Sequence, residues 1–159
     1  MKLKSHDIAQ TDLHGIGRLL FSPADPKVKP GDECSFAIIQ EDLGLTGGSC
    51  AGTMDCAPRP MQVSRMERHV RTPEILVAIE GDSVICLAPP QEPVAGKLTD
   101  MRAVRVKAGQ VFILETGAWH WIPFPVAARP ARFLVIFKQK TGENDLQFGA
   151  LAETVSIDP

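Results

Sequence analysis

The sequence predicts an all-β fold, a sandwich or small barrel, on three observations. Glycine and proline number 13 each in 159 residues, a density of chain-turning residues that suits many short strands and argues against a helical bundle. Short apolar or alternating runs recur at close spacing from residue 34 onward. Two pairs of these runs, 74–80 with 83–87 and 101–106 with 110–114, flank Gly81-Asp82 and Ala108-Gly109, which reads as two hairpins. Apolar residues at 44% and charged residues at 23% describe an ordinary globular chain, long enough to bury a core without disulfides.

Element by element, Ile8, Leu13, Ile16, Leu19 and Leu20 are loosely helix-spaced, so residues 7–14 are expected as a short helix stopped by Gly15 and Gly17. The Pro-, Lys- and Asp-rich stretch 22–32 reads as a loop. Strands are expected at 34–40, 49–55, 62–69, 74–80, 83–87, 101–106, 110–114, 119–123 and 133–138, with a loop at 89–96. The organisation is one domain: helix and loop over 1–32, barrel over 33–140, and a polar extension over 141–159 that packs loosely or swaps onto a partner.

Composition excludes several partners. The net charge is −2 with no basic block, and tyrosine is absent, so neither a phosphate-binding face nor a base-stacking surface is expected. No apolar run approaches the ~18 residues of a membrane span, and Met1 to Asp7 lead into no apolar leader segment. Cys34, Cys50, Cys56 and Cys86 form no Cys-x-x-Cys pair. Reduced thiols in a cytoplasmic protein are expected, with a Cys50–Cys56 bridge as the alternative.

Chemistry concentrates around two of the four histidines. Residues i and i+2 of a strand share a face, so Val63, Arg65, Glu67 and His69 point one way and Ser64, Met66 and Arg68 the other. Glu74 opens the next strand and His120 comes from a later one. Two carboxylates and two imidazoles converging from different strands suit a divalent metal (Zn, Ni, Mn or Fe) with open positions. Glu67, His69, Glu74 and His120 are the expected ligands, with His69, His120 and Glu67 as acid–base groups. Arg65 is in phase with them and suits a substrate carboxylate. Glu74 is also placed at the substrate, and Trp121 joins the pocket if the chain twists after His120. Arg132 is a second candidate carboxylate anchor, and Arg68 is expected to brace the barrel from outside or to form a dimer contact.

These spacings resemble the two short cupin motifs. The first motif runs Gly-x5-His-x-His-x3-4-Glu-x6-Gly; His69, Glu74 and Gly81 fall in register, Glu67 stands at the first His and Met61 at the leading Gly. The second runs Gly-x5-Pro-x-Gly-x2-His-x3-Asn; Gly109, Gly117 and His120 match, with Glu115 and Phe124 at the Pro and Asn. The resemblance implies a cupin-like double-stranded β-helix, a jelly-roll barrel.

A narrower resemblance is to the ureidoglycolate lyase (ureidoglycolate hydrolase) family. It is carried by the segment from Ile8 to Leu20, by Met66-Glu67-Arg68-His69, by Val111 to Pro123 with Trp119-His120, and by Gly142-Glu143-Asn144-Asp145. Trp121 stands where the family shows a second His, and Glu74 is acidic where a neutral residue is expected. The resemblance implies a homodimer that splits ureidoglycolate into glyoxylate and urea, in purine and allantoin breakdown. Another metal-dependent cupin enzyme on a small acid or sugar (isomerase, oxygenase or decarboxylase) and a non-enzymatic small-molecule-binding cupin are the alternatives.

Overall fold

A computed structural model describes residues 1–24 and 36–159. Its strands are β1 (Lys2–Asp7), β2 (Gly17–Phe21), β3 (Ser49–Cys56), β4 (Gln62–Arg68), β5 (Glu74–Glu80), β6 (Ser83–Ala88), β7 (Arg102–Val106), β8 (Val111–Leu114), β9 (Trp119–His120), β10 (Phe124–Pro125), β11 (Ala131–Lys138) and β12 (Gln147–Asp158), with one short helix, α1 (Thr141–Asn144). Among the described residues, no helix is long and apolar enough to cross a membrane.

The strands form two sheets. One has the order β10-β6-β7-β1-β12-β4-β9, and β9 also pairs with β6, so the strands from β6 round to β9 close into a barrel. The other has the order β2-β8-β5-β11-β3. The all-β barrel predicted from the sequence is therefore the fold.

Two apolar cores hold it together. Val63, Met66, Val84, Cys86, Ala103, Trp119, Val155 and Ile157 form one, drawn from the strands of the closed sheet. Ile85, Leu87, Val104 and Val106 turn the other way, onto Leu76, Ala78, Phe112, Leu114, Phe133 and Val135 of the second sheet. Strand β6 thus has both faces covered, and all six of its residues are buried. That is why it reads as a continuous apolar run rather than an alternating one.

Several expectations change. The two hairpins are not hairpins: β5 pairs with β8 and β11, while β6 pairs with β7, β9 and β10. Both Gly turns carry the chain from one sheet to the other. At the second, the Gly109 N–H donates to Ala78 O (2.7 Å) and the Ala78 N–H to Gln110 O (2.9 Å), which ties this corner to β5. A turn signal reports a reversal of direction, not which sheet the next strand joins.

The helix expected over 7–14 is a single 3-10 turn, Ile8–Gln10, behind strand β1. Asp7 accepts the Ala9 N–H and ends the strand there. Residues 36–40 form no strand, and Phe36 and Ile38 are exposed; Cys34, with most of the loop expected at 22–32, lies outside the described residues. The polar tail is not a loose extension. Strand β12 runs antiparallel to β4 and parallel to β1, within the same chain. Polar residues at its exposed positions masked a strand whose Val155 and Ile157 are core.

Strand β4 also departs from ideal alternation. Val63 and Met66 are both buried in one core, and the register against β12 shifts between Ala150 and Val155. The irregularity takes Val63 off the face of Glu67 and His69. Cys50 and Cys56 carry free thiols, so the alternative bridge is not formed.

Candidate metal centre and substrate pocket

The closed sheet and the facing sheet each contribute to one cluster of side chains. Glu67 lies on β4 directly opposite His120 of β9, and His69 follows one residue past the end of β4. Glu74 is the first residue of β5, in phase with Leu76 and Ala78 of the inter-sheet core. Gly117, at φ 84°, donates its N–H to His69 O at 2.6 Å. The glycine of the second motif thus holds the histidine of the first, and its left-handed backbone explains the residue type.

The distances are short. His120 Nε2 lies 3.0 Å from Glu74 Oε2 and 3.7 Å from Glu67 Oε1, and His69 Nε2 lies 3.8 Å from the same Glu74 oxygen. The imidazole centroids are 5.3 Å apart. His69, Glu74 and His120 are 7%, 8% and 6% exposed, so solvent contributes little to satisfying them.

Backbone carbonyls define the ring tautomers. His69 Nδ1 lies 3.0 Å from Asp145 O, and His120 Nδ1 lies 3.1 Å from Ala118 O. A carbonyl only accepts, so each Nδ1 carries the hydrogen and each Nε2 of a neutral ring is a lone pair. Both lone pairs converge on the Glu74 carboxylate. Glu74 Oε2 and His120 Nε2 complete no aligned hydrogen bond, although both are buried. Three donor atoms, all within 4.8 Å of one another and two of them orphaned, fit a divalent cation. Glu67 lies outside that tight set, so the four expected ligands become three with a second carboxylate beside them.

Without a cation the cluster holds protons instead. Burial works to lower His120, but the Glu74 carboxylate beside it, with a smaller pull from Glu67, leaves the imidazole above its ordinary range. Burial works to raise Glu74, but His120 and His69 outweigh it and hold the carboxyl low. Glu67 behaves differently: burial pushes it up, Glu74 adds to the push, and His120, His69 and Arg65 only partly offset it.

Two hollows meet at these groups. The wider, about 280 Å³, is lined by Gly52, Thr53, Met54, Glu67, His69, Glu74, Val135, Phe137, Thr141, Gly142 and Leu146. The narrower, about 20 Å³, lies against Trp121, Ile122 and Pro123 and also touches Glu67, Glu74 and His120. Strand β9 ends at His120, which frees Trp121 to turn onto this hollow. Arg65 is exposed, its guanidinium stacked 4.9 Å from the Trp121 ring centre and 5.2 Å from that of Phe148. It reaches the narrow side only through Trp121 and lines neither hollow.

Other residues singled out in the sequence lie elsewhere. Arg68 sits over Trp119 and bonds Gln91 O, Glu92 and Gln147, the external brace expected of it. Arg132 pairs with Asp55 at 2.6 Å in an exposed position, away from the cluster. Sequence reasoning missed the roles of Thr53, Phe137, Thr141 and Asp145. Only Asp145 carried a signal, through the acidic turn that the family resemblance picked out.

The closed barrel with a buried His/Glu cluster facing its second sheet defines a cupin-fold protein. The ureidoglycolate lyase family model matches residues 30–158, and the chain belongs to the ureidoglycolate lyase family. Among solved structures, a dTDP sugar isomerase from Desulfovibrio desulfuricans G20 is similar at TM-score 0.53 and 10% identity, over 86% of this chain and 82% of that one. At that identity the likeness shows the fold alone. A mutant of Bacillus subtilis oxalate decarboxylase is similar at TM-score 0.45 and 18% identity, over 65% of this chain; this chain covers 24% of the decarboxylase. No curated protein matches at the sequence level.

Proposed function

We propose that this protein is a ureidoglycolate lyase, cleaving the C–N bond of ureidoglycolate to release glyoxylate and urea. Family membership supports the substrate class. The single structural observation that carries the chemistry is Glu67, a carboxyl with a raised pKa beside, but not within, the tight His69, Glu74, His120 set.

The reaction is the collapse of a carbinolamide and needs neither water nor an oxidant. A base takes the hydroxyl proton, the oxygen's electron pair forms the aldehyde C=O, the C–N bond breaks, and the urea nitrogen leaves with that bond's electrons and takes up a proton. One group serves both steps if it accepts the first proton and returns it to nitrogen. Glu67 is suited to this because burial raises its proton affinity above that of an ordinary carboxylate, and it borders both hollows.

His69, Glu74 and His120 would hold a divalent ion, which when bound supplies Lewis-acid polarisation of a substrate oxygen. In that arrangement Glu74 is a ligand that cancels part of the ion's charge. His69 and His120 keep their Nδ1 hydrogens on carbonyls and their rings fixed. Arg65, stacked on Trp121 outside both hollows, would receive the substrate carboxylate from that side. The wide hollow, at the small end of ligand pockets, accommodates the ureido group, with the Thr53 and Thr141 positions in its wall.

The test is glyoxylate release from ureidoglycolate by purified protein, with and without chelator and with Glu67→Gln. Release that disappears in a folded Glu67→Gln variant supports the reading. No release with any of Zn, Ni, Mn or Fe supplied overturns it, and the ligand is then another small molecule of the same pocket.

A further inference from the structure

We infer that Asp145 is a positioning residue, one that ties the wall of the wide hollow to His69 and sets which ring nitrogen His69 presents. The inference rests on the metal-site reading above.

Three bonds converge on Asp145, which is 4% exposed. Its own carbonyl receives the His69 Nδ1–H at 3.0 Å. One carboxylate oxygen accepts the Val70 N–H at 2.9 Å and the other the Arg71 N–H at 2.8 Å. These are the two residues after His69, where the chain leaves β4 to reach Glu74. The side chain therefore holds the loop that joins two of the three donor residues, while the main chain orients the ring of one. No lysine, arginine or histidine pairs with the carboxylate among the described residues, so its partners are these backbone amides.

Asp145 also terminates a wall of the pocket. Its N–H donates to Thr141 O at 2.9 Å, closing the single turn of α1. Thr141 is itself buried, its hydroxyl donating to Lys138 O at 2.7 Å. Thr141, Gly142 and Leu146 line the wide hollow, on either side of the clamp. A Cβ at Gly142 would meet no atom within 4 Å, so glycine there leaves room rather than satisfying the backbone. The segment is thus one unit with two faces: the substrate side at 142 and 146, and the His69 side at 145.

The chemical consequence is specific. With Nδ1–H held on a carbonyl, the Nε2 lone pair faces Glu74 and His120. Released from that bond, a neutral imidazole favours the opposite tautomer, with Nε2 protonated, so that cation binding at Nε2 must first displace that proton to Nδ1. Outer partners of ligating histidines typically change metal affinity or activity by ~10–100-fold.

Asp145→Asn puts an amide against one of the two N–H donors while keeping the side chain's shape, and Asp145→Ala removes both acceptors; each keeps the main-chain carbonyl and so loosens the His69 ring only by freeing the 70–71 loop from it. The measurements are the His69 ring tautomer by 15N-detected NMR on metal-free protein at a pH where the ring is neutral, and Co2+ affinity by visible absorption. The expected result is a wild-type His69 in the Nδ1–H form, a shift toward the Nε2–H form in both variants, and ~10–100-fold weaker Co2+ binding. Thermal unfolding identifies a variant that fails to fold, and Asp145→Asn then carries the test alone. An unchanged tautomer in folded Asp145→Asn, with or without normal Co2+ binding, overturns the inference. If wild type binds no Co2+ but the tautomer still shifts, the metal reading fails and the positioning role stands.

Discussion

Replacing Glu74 by Gln separates the proton-holding and cation-holding roles of the cluster. In chelated wild-type protein, His120 sits above its ordinary range: burial opposes this, and the attraction of Glu74 overrides it. Its stabilising contribution is complete below the unfolded imidazole value of about 6.5 and is lost as pH rises through the raised folded value. Glu74 is held low against burial by His120 and His69, so its contribution is present above about pH 4.3 and is lost as pH falls through the lowered folded value. A tenfold change in proton affinity corresponds to about 1.4 kcal/mol, which sets the scale of the slope. Gln keeps the volume, and its NH2 can donate to the neutral His120 Nε2 that lies 3.0 Å from the present carboxylate. The variant therefore costs about 1 kcal/mol or less at high pH, whereas Glu74→Ala strands the buried lone pair at about 1–3 kcal/mol. At this chain length 1 kcal/mol is roughly 2–4 °C in Tm. Zn2+ at 1,000 times Kd adds about 4 kcal/mol to wild type and nothing comparable to the variant. Urea unfolding at pH 6 and 9, with chelator and with Zn2+, reads all of these. A Gln variant that keeps both the wild-type pH slope and the Zn2+ stabilisation refutes the assignment of Glu74.

Four further outcomes are expected. Glu67→Gln lowers lyase kcat by about 10²–10⁴-fold while Co2+ affinity stays near wild type, since Glu67 lies outside the tight donor set. Because burial raises Glu67, with Glu74 adding, its ionisation destabilises the fold as pH climbs from the ordinary carboxylate range through the raised value; chelated Glu67→Gln is then more stable than wild type at pH 8 in urea unfolding. Arg65→Ala raises KM for ureidoglycolate by about 10–100-fold with a smaller change in kcat, from the loss of a charge-assisted contact, and Arg65→Lys restores little of it because the planar stack on Trp121 is lost; steady-state kinetics check both. Gly117→Ala, at φ 84° with Pro90 Cβ 3.3 Å from the new methyl, costs about 1–2 kcal/mol in chemical denaturation and weakens Co2+ binding through His69 O.

The site shows why some chemistry is legible in a linear chain. Glu67 and His69 share a face because the two-residue strand period holds locally across β4's last residues, and His120 meets Glu67 because β9 pairs there. The same period failed one step earlier, where the irregular register against β12 took Val63 to the other side. Trp121 was readable only conditionally, since its approach to the narrow hollow depends on β9 ending at His120. Arg132 had the right chemistry, but its pairing with Asp55 at an exposed strand position is invisible to spacing.

From sequence alone came the all-β class, the family, and the identity of the four residues that converge. These follow from local patterns: turn residues, alternation, and motif spacings that span a few residues each. Tertiary structure decided the rest. It placed β5 and β6 in different sheets, brought β12 back between β1 and β4, and separated the three tight donors from Glu67. It also made Asp145, 76 residues from His69 in the chain, the partner that orients the ring. Sheet membership and long-range carbonyl contacts depend on which surfaces bury each other, a property of the folded whole that no short window of sequence contains.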